Sequence, residues 1–292
     1  MASTGAPNES TGVAEPGWTG TGSSAGAESS TGDVVVGGIG ALAWVVDAET
    51  GAPQPVGSWN DGIEAQICVV HEDEALAFAE HPSAYGSRAV RLVLRESWPW
   101  GTSQACDSKL RGLLMDRDAV QIPEGETSWA GWAIYVPEDW TERSNGSVVV
   151  LNAHGLPGTP PQVMLELQDE RWEFRGRGDL DVEASTWSMQ PGRWHEFVLE
   201  ASFEPSRDGY LKLWHRIRGA RDWTQQVDHQ GPTVTGASEF PFHIRFGVDR
   251  GCCEWGDASD ERVLWFDEVR VGTVASSFEE VRPGSGYFPA ED

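Results

Sequence analysis

Residues 192–217 read GRWHEFVLEASFEPSRDGYLKLWHRI. Two stretches, Trp194–Phe203 and Tyr210–Ile217, flank the turn EPSRDG and bring apolar residues back at every second position. Successive side chains of a strand point to opposite sides, so this period of two marks strands with one face in a core. In the second stretch Tyr210, Lys212, Trp214 and Arg216 alternate with Leu211, Leu213, His215 and Ile217. The same grammar extends outward in both directions. Arg88–Arg95, Trp129–Val136, Val148–His154, Val163–Gln168, Phe242–Asp249 and Val263–Val271 are predicted strands, separated by PEGETS, PEDWTERSNG, GLPGTPP, QPG and QGPTVTG. One short helix is predicted, at Glu72–Glu80 (EDEALAFAE), stopping at His81-Pro82.

Many strands, few helices and no internal repeat imply an all-β chain, an antiparallel two-sheet β-sandwich. The composition agrees: of 292 residues 39% are hydrophobic, and Gly (34), Pro (17) and Trp (15) are plentiful. Residues 1–38 are Ser/Thr/Gly-rich and too poor in apolar groups to offset the entropy of ordering, so they read as a disordered tether, and residues 39–292 as one domain. Such tracts often follow a lipidated cysteine. We therefore expect an export signal and lipid anchor upstream of Met1, and a secreted or cell-surface location, with a plain disordered N-terminus as the other reading. No stretch approaches the roughly 20 apolar residues of a membrane span. Cys68, Cys106, Cys252 and Cys253 lack paired metal-site spacing and are expected to form disulfides, the other reading being buried thiols.

A formal net charge of −25 argues against nucleic acid, whose binding draws on clustered cations. It does not bar an acidic polysaccharide, because a local cationic surface attracts an anion on a molecule that is acidic elsewhere. In Phe242–Asp249 the set Phe242, Ile244, Phe246 and Val248 belongs in the core, leaving His243, Arg245, Gly247 and Asp249 on the other face. In Val148–His154 the sets are Val149, Leu151 and Ala153 against Val148, Val150, Asn152 and His154. The aromatics and cations of Tyr210, Lys212 and Trp214 suit a glycan, since rings stack on sugars and cations meet carboxylates. In SKLRGLLMD (108–116) Arg111 is suited to an anion. For every one of these faces, polar residues turned to solvent are the bland alternative.

The order of motifs over about residues 40–275 resembles the jelly-roll polysaccharide lyases, the group of alginate, glucuronan and heparin-lyase-like enzymes with a concanavalin-like sandwich. SWAGWAIYVPEDW, GRWHEFVLEASFEPSRDGYLKLW and VLWFDEVRVG carry the likeness of architecture. Leu110-Arg111-Gly112-Leu113 is similar to the family's arginine strand, with Leu113 where an acid is usual. Asn152-Ala153-His154 is similar to its Gln-x-His, and Arg245-Phe246-Gly247-Val248-Asp249 to its Lys-x-Gly-x-Tyr, with Asp249 in the tyrosine's place. The resemblance implies β-elimination on a uronic-acid polymer. Arg111 and Asn152 would neutralise the carboxylate, and His154, of ordinary pKa near ~6.5, would take the proton. Arg245, His243, Asp249, Lys212, Tyr210 and Trp214 would bind substrate, and the donor to the leaving oxygen would be His243, Tyr210 or another tyrosine, or be missing. No cofactor is called for, although an acidic loop around Asp257 and Asp260 offers ligands for a structural calcium ion. Leu113, Asp249 and the net charge favour the alternative, a non-catalytic carbohydrate-binding or adhesion module. A glycoside hydrolase, with two carboxylates across a cleft, is the minor option.

Overall fold

The structure is a computed structural model that describes residues 42–46, 66–67, 76–95, 97, 111–114, 121–140, 148–154, 161–168, 170–176, 180, 182, 184–236, 241–249 and 261–286. Its strands are β1 (Leu42–Val46), β2 (Gln66–Ile67), β3 (Leu76–Ala79), β4 (Ala89–Arg95), β5 (Arg111–Leu114), β6 (Thr127–Val136), β7 (Val148–His154) and β8 (Val163–Gln168). They continue as β9 (Arg171–Gly176), β10 (Ser185–Ser188), β11 (Arg193–Ser202), β12 (Tyr210–Ile217), β13 (Thr224–Gln230), β14 (His243–Asp249) and β15 (Glu261–Gly272). A single turn of helix, α1 (Phe278–Val281), follows. One sheet has the order β13-β12-β11-β6-β15-β4-β3, with β1 also on β15; the other runs β10-β9-β8-β7-β14-β5-β2. The pairs are antiparallel in both. This is the expected two-sheet jelly-roll sandwich.

The predicted strands are found with their ends moved by at most two residues. The predicted helix is not. Leu76–Ala79 is an edge strand, with Leu76 opposite Leu92 and Phe78 opposite Val90. Leu76 and Phe78, two apart, both pack against the core, and β4 offers an open ladder to be filled. Those two gains outweigh the helix propensity of a segment too short to hold itself together. Residues 72–75 lie outside the described residues, as do the 1–38 segment, all four cysteines, Asp257 and Asp260.

The core is a slab of apolar side chains between the sheets. Trp132 (β6) is fully buried, stacked on Phe197 (β11) at 5.1 Å and tilted against Phe246 (β14) at 5.4 Å, so that one indole touches both sheets. Deleting so large a buried ring leaves a cavity. Trp132→Ala is expected to cost about 3–5 kcal/mol in a urea titration.

Within this slab sit two histidines. His195 Nε2 donates to the Gln190 carbonyl at 2.9 Å, which leaves Nδ1 as an acceptor for Trp172 Nε1–H at 3.1 Å and for His215 Nε2–H at 3.0 Å. In that arrangement the His195 ring is neutral. Burial, as the largest cause, pushes His195 down to about 4 and His215 down to about 3. Below the ordinary histidine pKa near ~6.5 the unfolded chain takes up protons that the folded chain refuses, so this contribution is full above that pH and is lost as pH falls. Between about pH 6 and pH 4 each histidine adds a slope of about 1.4 kcal/mol per pH unit. Denaturant midpoints measured across that range should be distinctly flatter in the His195→Leu/His215→Leu double variant than in the wild type.

Candidate functional site

In β14 the residues Ile244, Phe246 and Val248 enter the core, at 2%, 0% and 0% exposure. The alternation then turns His243, Arg245 and Asp249 to the outer face of the β14 sheet. All three are nevertheless buried. Arg245 Nε donates to His243 Nε2 at 3.2 Å, so in this arrangement that ring nitrogen carries a lone pair. Gly247 has φ +147°, where a side chain is strained, and it lies in a register shift of β14 against β7 between Phe246 and Asp249.

The ladders decide what shares this face. His154 is directly opposite His243, and Asn152 directly opposite Arg245. On the other side of β14, Arg111 is opposite Asp249 and Leu113 opposite Gly247. The register therefore brings together six of the nine residues singled out from the sequence. It also shifts by one between Val149 and Leu151 against β8, and Leu151 and Ala153 are in the core.

The face continues onto strands whose chemistry the sequence reading passed over. On β8, Val163, Leu165 and Leu167 are core residues, which sends Glu166 outward, where it is only 2% exposed. On β9, Trp172 and Phe174 are core residues, which sends Glu173 and Arg175 outward. Arg175 Nη2 lies 2.9 Å from Glu166 Oε1 and 2.8 Å from Oε2. Burial is the largest cause raising the Glu166 pKa; Arg175 opposes it, while Glu173 and Asp249 add to it. Asp249 is thus close enough to be felt two strands away. The alternation in VMLELQ and RWEFRG was the available signal.

Tyr210, Lys212 and Trp214 are on β12, in the other sheet. Leu211 and Leu213 take the core side, so these three occupy the opposite outer surface of the sandwich and do not meet Arg245. There Lys212 Nζ pairs with Glu200 at 3.0 Å, and the Tyr210 hydroxyl lies 2.8 Å from Thr127 Oγ1. Trp214 stacks with Trp129 at 6.3 Å and meets the edge of Phe278, which also meets Trp223. These rings hold α1 down. Arg270 assists from below, bonding the carbonyls of Glu280 and Arg282 at 3.2 and 3.4 Å. Trp214→Ala is expected to cost about 1–3 kcal/mol in thermal unfolding and to make residues 276–284 cleave sooner under limited proteolysis.

Among the described residues no group of three or more His, Cys, Asp or Glu is arranged to hold a metal ion, and no helix is long and apolar enough to cross a membrane.

A family model described as polysaccharide lyase matches residues 56–270, and the chain belongs to that family. Its structure is similar to that of an endo-β-1,4-glucuronan lyase from the fungus Trichoderma reesei, with a TM-score of 0.57 and 17% identity over 83% of this chain and 99% of that one. It is also similar to a GH131 β-glucanase catalytic domain from Podospora anserina, with a TM-score of 0.54 and 13% identity over 75% of this chain and 92% of that one. An alginate lyase from the marine Aplysia kurodai follows at a TM-score of 0.47 and 14% identity, over 69% and 88% of the two chains. No curated protein matches the sequence. At these identities the structural likeness speaks for the fold alone, and the fold carries enzymes of more than one chemistry.

Proposed function

We propose that this protein cleaves a uronic-acid polysaccharide by β-elimination on the outer face of the β14 sheet. The observation that carries the reading is the ladder register, which sets His154 against His243 and Asn152 against Arg245 in a member of the polysaccharide lyase family. Arg111 and Asn152 neutralise the uronate carboxylate, which acidifies the proton on the adjacent carbon. His154 takes that proton. The bond to the glycosidic oxygen then breaks, a double bond forms in the sugar ring, and the oxygen leaves with the electron pair and gains a proton. Tyr210 is on the far sheet, so between it and His243 the histidine is the one on the β14 sheet. The reading calls for no redox cofactor. A polysaccharide too large to cross a membrane is met outside the cell, so secretion or surface display goes with the activity.

The test is incubation with alginate, glucuronan, heparin-type and pectin-type polymers while following ultraviolet absorbance of the unsaturated uronate. We expect absorbance to grow on at least one of them, and His154→Ala to lower the rate by about 100-fold or more with an unchanged melting curve. Full activity in that variant overturns the assignment of the base. New reducing ends without the chromophore would instead indicate hydrolysis, and binding without either product a non-catalytic module.

A further inference from the structure

One line of residues runs straight across the β14 sheet, perpendicular to its strands. Arg245 on β14 is opposite Asn152 on β7, Asn152 opposite Met164 on β8, and Met164 opposite Arg175 on β9. Each position is flanked along its strand by core residues: Ile244 and Phe246, Leu151 and Ala153, Val163 and Leu165, and Phe174 beside Arg175. Arg245, Met164 and Arg175 therefore belong to one face, with Asn152 at the register position between them. Neighbouring strands are about 4.8 Å apart, so three steps separate the backbones at Arg245 and Arg175 by about 14 Å.

The two arginines differ in access. Arg245 is 7% exposed, whereas the Arg175 side chain is 43% exposed. Arg175 is also held in place. Its Nη2 rests on both oxygens of Glu166, which is submerged at 2%, and its Nε lies 3.9 Å from Glu173 Oε1 without a hydrogen-bond partner. A guanidinium pinned from beneath by a buried carboxylate, on a side chain that is still part exposed, loses little freedom when a ligand arrives. Met164 between it and Asn152 offers a half-buried apolar surface over which a sugar ring can lie.

We infer that Arg175 is a distal substrate-binding residue, which grips a carboxylate of the same acidic polymer at a sugar beyond the one that Arg245 and Asn152 serve. This rests on the uronate reading for the class of substrate. It gives the polymer a direction across the sheet, along the line from β14 to β9, and it makes the enzyme favour long chains. Oligomers too short to bridge the ~14 Å between the two positions gain nothing from it.

The experiment compares wild type, Arg175→Lys and the double variant Arg175→Ala/Glu166→Gln, in which no carboxylate is left buried without its cation. Retention is measured in native gels containing each of the four polymers or a neutral β-glucan, and kcat and KM are measured on long polymer and on short oligomers. We expect the double variant to raise KM on polymer about tenfold with kcat within about twofold, to lose retention on acidic polymer only, and to match wild type on short oligomers. Arg175→Lys should recover part of the loss. Unchanged KM and retention in the double variant overturn the inference, as does an equal loss on oligomers and polymer, which marks a structural role. Loss of retention on the neutral glucan as well overturns the carboxylate as the group recognised. If wild type is retained but forms no unsaturated product, the elimination reading fails, and retention of the double variant still decides the role of Arg175. Wild type that is retained by none of the polymers and forms no unsaturated product on them overturns both.

Discussion

The contact between Phe246 and Trp132 determines which way β14 faces. Phe246 fills the core against an indole that also stacks on Phe197 of the opposite sheet, so the strand cannot turn over without emptying the centre of the sandwich. Its neighbours Arg245 and Gly247 must then look outward. From that one choice the antiparallel ladders carry the facing to β7 and β5, and through β7 to β8 and β9. On β8 and β9, Glu166 and Arg175 share the outer side because the two strands are locked to each other and each also feeds the core. The chemistry of the face is thus a by-product of apolar packing on its reverse.

The outer surfaces of the sandwich have different work. Across β14, β7, β8 and β9 the polar groups are close enough to shift one another, as Asp249 and Glu173 do to Glu166. On the β12 side, cations and acids are paired off locally and the large rings are used to seat the segment after β15, with Gly131 leaving room for the Val281 carbonyl. A Cβ at Gly131 would lie 1.9 Å from that oxygen.

Much of this could be read from the sequence because a period of two is a strong signal when the inward residues are as uniform as Phe242, Ile244, Phe246 and Val248. What alternation cannot tell is which sheet a strand joins. Tyr210, Lys212 and Trp214 were legible as one face of one strand, yet nothing local says that this face is turned away from Arg245. Leu76–Ala79 was misread because its helical composition is a local property, whereas its place on the edge of β4 is a tertiary one. Arg171–Gly176 was missed since the strand is short and half charged, and with it went the partner of Glu166. His195 looked polar in a row of core residues; only the convergence of Trp172, His215 and the Gln190 carbonyl makes it a core residue in its own right.

The register shift at Gly247 has a bearing on how such a face can change over time. Where two faces alternate residue by residue, a substitution retunes one side chain in place. Losing or gaining a single residue in the strand instead exchanges inside for outside from that point on. The shift beside Gly247 is a spot where the ladder already absorbs one extra residue. A length change there would transpose the outward set beyond Gly247 in one step, leaving Phe246 in the core, a change of surface that point mutations reach only by many separate steps.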